Sequence, residues 1–143
     1  MTLADHYTAF KARLDGGILA GKVHDGVRPK TALPVRDNYA VIKPKTPKRD
    51  DNRYTGLNSV ASKSLFRFDV RYVGTSLASV LQWQQAAQER LIPDGGIRLV
   101  VTGRKCDPIR LVDPVEEGDY SYDKTTELFY VDDTFEFISR RAA

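Results

Sequence analysis

Thiol chemistry is nearly absent from this chain: Cys106 is the one cysteine among 143 residues, so no intramolecular disulfide and no cysteine-built metal cluster can form. Its neighbours Arg104 and Lys105 would lower a thiol pKa, but no pattern places a base beside it, and it reads as inert. Histidine is almost as scarce. His6 falls in an N-terminal helical pattern and His24 in a glycine-rich stretch, and neither has the spacing that gathers several ligands on one metal. Both are read as structural or surface residues. Gly16-Gly17 and Gly95-Gly96 lack the spacing of a dinucleotide or nucleoside-triphosphate loop and read as helix stops. Asp50-Asp51 and Asp132-Asp133 lack the spaced oxygen ligands of a divalent-cation site, so they are read as a solvated turn and a strand bulge. No apolar run is long enough to cross a bilayer, and Met1 to His6 has neither the basic nor the apolar region of a signal peptide. The expectation is a protein of the cytoplasm, or of a particle assembled there, with no membrane, no cofactor, no metal and no enzymatic activity.

What is present is ordinary globular composition, 41% hydrophobic and 29% charged, over a length that suits one domain. The chain is organised around Ser64 to Leu91. Phe66, Phe68, Val70 and Tyr72 alternate with Arg67, Asp69 and Arg71, the period-two pattern of a strand with one face in the core. Gly74-Thr75-Ser76 then turns the chain into a helix, with Thr75 or Ser76 as the cap. Its apolar arc is Leu77, Val80, Leu81, Trp83, Ala87 and Leu91, interrupted by Gln84 and Gln88 and stopped at Pro93. Trp83 reads as a core residue packed on a sheet.

Elsewhere, Leu3, Tyr7, Phe10 and Leu14 predict a helix from Thr2 to Leu14, capped by Thr2. A short irregular strand is expected around Lys22 to Val27 and a buried strand at Tyr39 to Ile42, paired with the organising strand. Ile97 to Val101 reads as a strand with Ile109 to Val112 as its partner, and Arg104 to Pro108 as the connector between them. Tyr120 and Tyr122 fall on an edge. Leu128 to Ile138 reads as one long strand with a bulge at Asp132-Asp133. Two striped helices and several antiparallel strands make a two-layer α+β domain.

Charge is unevenly spread. Lys43, Lys45, Lys48, Arg49, Arg53 and Lys63 stand against Asp50 and Asp51, whereas ten acids between Asp107 and Glu136 stand against Arg110 and Lys124. Such bipolarity suits contacts between unlike surfaces of copies or partners. The polar connection at about residues 44–62 is far longer than a hairpin turn, and its prolines favour an extended arm that Tyr54 and Leu57 equip with apolar atoms.

In element order the chain resembles the tail terminator, or tail completion, proteins of long-tailed bacteriophages. The residues that carry the likeness are Phe66 to Ser76, the Trp83-bearing helix ending in Arg90-Leu91, and Leu128 to Phe137. The resemblance implies a single domain over 1–143: one antiparallel or mixed β-sheet, two α-helices on one face, and a projecting β-hairpin arm. It implies a structural virion protein that forms a hexameric ring, ends tail-tube polymerisation and joins the tail to the head connector. The partners would be copies of itself, the major tail tube protein and a head-closure or stopper protein, with passing contact to DNA in the lumen. The candidate interface residues are Lys43, Lys45, Lys48, Arg49, Arg53, Tyr54, Arg67, Asp69, Arg71, Asp132 and Asp133. Two other readings are kept: a head-closure or stopper protein of the neck, and a small nucleic-acid-binding module using the basic arm, whose affinity would fall with salt.

Overall fold

The computed structural model describes residues 3–25, 38–46, 48–49, 63–112 and 120–141. Among these, two α-helices and an eight-stranded mixed sheet form an α+β fold. The helices are α1 (Leu3–Leu14) and α2 (Leu77–Leu91). The strands are β1 (Val23–Asp25), β2 (Tyr39–Pro44), β3 (Lys48–Arg49), β4 (Lys63–Gly74), β5 (Arg104–Cys106), β6 (Arg110–Leu111), β7 (Ser121–Asp123) and β8 (Leu128–Arg141).

β4 and β8 are the spine. They run antiparallel in unbroken register from Lys63 opposite Arg140 to Gly74 opposite Phe129. Because the alternation is strict, one face of this ribbon carries Phe66, Phe68 and Tyr72 opposite Phe137, Phe135 and Val131. Phe10 of α1 stacks on Phe68 at 4.6 Å, and Val80, Trp83, Ala87 and Leu91 of α2 complete the same core. Both helices therefore cover one face of the sheet.

β2 lies on the far side of β4, with Ala40 and Ile42 facing the core, and β1 joins it in parallel. That parallel pair makes the sheet mixed. Pro44 faces Phe68 and Lys48 faces Leu65, so pairing with β4 resumes within the segment read as a polar loop. The rest of the expected arm, including Arg53, Tyr54 and the pair Asp50-Asp51, lies outside the described residues, as does the expected cap Thr2.

The outer edge of β8 is covered in turn by β7, β6 and β5. Here three expectations need correction. Arg104 to Cys106 is a strand rather than a connector, because its backbone finds β8. Ile109 to Val112 supplies β6, but its ladder is with β8 as well, leaving Ile97 to Val101 outside the strands. No bulge occurs at Asp132-Asp133: Val70 faces Asp133 and Arg71 faces Asp132 in register. The turn into α2 follows the sequence reading, with Ser76 Oγ accepting from the Ser79 N–H at 3.2 Å.

Candidate assembly interface

On the face of the β4–β8 ribbon away from α1 and α2, odd-numbered β4 residues meet the even-numbered residues of β8. Arg67 Nε donates to Glu136 Oε2 at 2.9 Å, and Arg110 reaches the other carboxylate oxygen at 2.7 Å. Asp69 accepts from Thr134 Oγ1 at 2.7 Å and pairs with Lys45 at 3.3 Å. Arg71 grips Asp132 through two hydrogen bonds of 2.7 and 3.0 Å and lies over the Tyr130 ring at 4.5 Å. The Asp132 bond, opposed by partial burial, holds the Arg71 guanidinium above its ordinary pKa.

The candidate residues thus fall into distinct groups. Lys45, Arg67, Asp69, Arg71 and Asp132 come together on this face, and Lys43 joins them in register opposite Asp69. Lys48 and Arg49 lie in β3. Asp132 and Glu136 of the acidic segment are neutralised by Arg71, Arg67 and Arg110, while Lys45 of the basic segment pairs with Asp69. What results is a polar ladder whose charges mostly satisfy one another.

Asp133 belongs elsewhere. Strand alternation sends it to the helix side, 8% exposed, where Gln84 Nε2 and Gln88 Nε2 donate to its two oxygens at 2.9 and 3.0 Å. The two glutamines that interrupt the apolar arc of α2 are thereby explained as the caps of a buried carboxylate. Tyr72 lies in the adjacent core position of β4, wholly buried, and its hydroxyl has no well-formed hydrogen bond among the described residues. Burial first, and then the Asp133 charge, push its phenol well above the ordinary value.

A second buried polar group joins α1 to the end of β8. His6 stacks on Phe66 at 4.0 Å, and its Nε2 lies 2.8 Å from Ser139 Oγ. Arg104 donates to both the hydroxyl and the carbonyl of Ser139, at 2.9 and 2.8 Å. Cys106 is also buried, and that burial raises its thiol pKa, outweighing the opposite pull of Ser139 and Arg104. The sequence signals for this cluster were weak: three scattered polar residues with no common spacing. Among the described residues, no group of histidine, cysteine, aspartate and glutamate converges as a metal site would require.

No family model and no curated protein matches the chain. Solved structures do, 11 chains in all. One of them is a chain of the virion of a native gene transfer agent particle, with a TM-score of 0.68 and 15% identity, covering 96% of this chain and 98% of that one. The fold is shared with a virion component. The match spans both chains nearly end to end, so it takes in the helices, the spine and the edge strands together rather than a common local motif.

Proposed function

We propose that this protein is a structural component of a phage-like virion, acting as a tail terminator. In this reading, copies form a ring, a hexamer by resemblance, that ends growth of the tail tube and presents the surface to which the head side binds. Its partners are the major tail tube protein on one side and a head-closure or stopper protein on the other, with DNA passing through the lumen. The observation that carries the reading is the near-complete mutual coverage with a virion chain at a TM-score of 0.68. The polar ladder of Arg67, Arg71, Asp132 and Glu136 suits it too, since charges already paired across strands can be covered without being left unpaired.

The role is non-enzymatic in this reading. Ser139 and His6 stand at the distance of a nucleophile and its base, but both are buried and Ser139 is further held by Arg104. They tie α1 to β8. Particles assembled without this chain are expected to carry tails of uncontrolled length that fail to join heads. Normal tails of uniform length in its absence would overturn the proposal. Finished tails that accumulate unjoined would favour a stopper instead.

A further inference from the structure

The C-terminal ends of α1 and α2 meet, and each is closed by an arginine of the other. Arg13 Nε donates to the Arg90 carbonyl and Arg90 Nε donates to the Arg13 carbonyl, both at 2.9 Å. Both carbonyls belong to the last turn of their helix, where no amide of that helix is left to reach them. The Arg90 guanidinium packs on Gly16: a Cβ there would lie 2.2 Å from its Nη2 and 2.5 Å from its Cζ. Gly16 has an extended backbone, φ −173°, that any residue adopts, so what its glycine supplies is room for the guanidinium. Only one of the five N–H groups on each arginine is used in this clamp, and among the described residues neither guanidinium meets a carboxylate. The two helix ends supply about half a negative charge each, so the junction keeps an excess of about one positive charge. Three exposed acids flank the pair in sequence without bonding to it: Asp15, which accepts from the Gly21 N–H, Glu89, which accepts from Gln85, and Asp94. Two residues beyond Gly16, Ile18 is 54% exposed.

We propose that the paired arginines bind one carboxylate of a partner protein, carried beside an apolar side chain that lies on Ile18. A carboxylate matches the edge of a guanidinium and accepts two of its N–H groups side by side. The clamp already fixes both side chains through their Nε atoms, so little further freedom is lost when the anion arrives. An excess of about one positive charge suits one anion. The flanking Asp15, Glu89 and Asp94 repel a polyanion, which disfavours a nucleic-acid strand while still admitting a single carboxylate. The site lies at the helix ends rather than on the ladder of β4 and β8, and it does not rest on the ring reading.

N-acetyl-leucine, which carries one carboxylate next to one apolar side chain, is the probe, added to the full chain and followed by NMR at the Nε–H groups of Arg13 and Arg90. Saturable shifts at both arginines are expected, and none with N-acetyl-leucine amide, which lacks the charge. Arg90→Gln removes one charged donor and is expected to weaken the probe about tenfold. Because that change also breaks the clamp, Gly16→Ala tests the geometry at constant charge. Its Cβ displaces only the flexible end of Arg90, so the amide spectrum is expected to stay that of the folded chain while the probe weakens about threefold or more. Absence of a saturable shift at either arginine overturns the proposal. So does equal binding of the amide, an unchanged affinity in Gly16→Ala, or an oligodeoxynucleotide that occupies the same two arginines more tightly than the probe.

Discussion

Tyr72→Phe is expected to stabilise the protein. Tyr72 is wholly buried on the core face of β4, and among the described residues its hydroxyl has only the Asp133 carboxylate near it, outside good hydrogen-bond geometry. Burying a hydroxyl without a hydrogen bond costs about 1–3 kcal/mol on mutational scales. Deleting the oxygen removes that cost and leaves a void smaller than a methylene, whose loss is worth about 0.8 kcal/mol. The net expectation is a gain of about 1 kcal/mol, or roughly 2–4 °C in Tm for a chain of this size. Urea unfolding reads it as a higher midpoint with unchanged slope. The pH dependence gives an independent sign. A phenol held well above its ordinary value of 10.0 keeps its proton in the folded state after the unfolded chain has begun to lose it. Stability therefore falls as pH rises past that value, and the variant loses this share of the fall. A destabilisation beyond about 1 kcal/mol would refute the reasoning, because it would mean the hydroxyl is satisfied by the Asp133 carboxylate after all.

Three further outcomes follow from particular contacts. Gly96→Ala places a Cβ 2.2 Å from the Ile109 carbonyl oxygen at a φ of +98°, and should cost about 2–4 kcal/mol in chemical denaturation. Gly95→Ala, at a φ of +95° but with open space around it, should cost about half as much or less. Cys106 should react with a thiol reagent at neutral pH only at the rate of unfolding, since burial both hides it and raises its pKa; fast stoichiometric labelling of the folded chain would contradict this. A double-mutant cycle on Arg71 and Asp132, both substantially exposed, should give a coupling of at most about 1 kcal/mol that shrinks in high salt.

β4 and the helix after it could be read directly from the residues because strand alternation is a local signal, whereas the pairing of β4 with β8 could not. Phe66, Phe68, Val70 and Tyr72 fix which face of β4 is buried, and the helix that follows is bounded by Ser76 and Pro93 with no help from tertiary structure. Partner choice was less legible. Ile97 to Val101 has strand composition, but pairing depends on where the chain travels next, and Gly96 holds its start against Ile109 while the ladder goes to β8. Short edge strands such as β5, whose sequence is Arg-Lys-Cys, carry almost no propensity and exist because β8 offers an edge. Of the candidate surface, the position of Arg67, Asp69 and Arg71 opposite the helices followed from parity alone. Their neutralisation by Glu136, Lys45 and Asp132 did not, because cross-strand register is invisible in one sequence. Asp133 shows the same limit from the other side: adjacent acids look alike until alternation sends one to water and the other beneath α2.

The terminator reading is tested most directly by adding the purified chain to polymerising tail tube protein and viewing the products by electron microscopy. The account predicts rings seated on tube ends and tubes that stop lengthening once capped. Tubes that grow to the same lengths with bare ends, in the presence of folded protein, would contradict it.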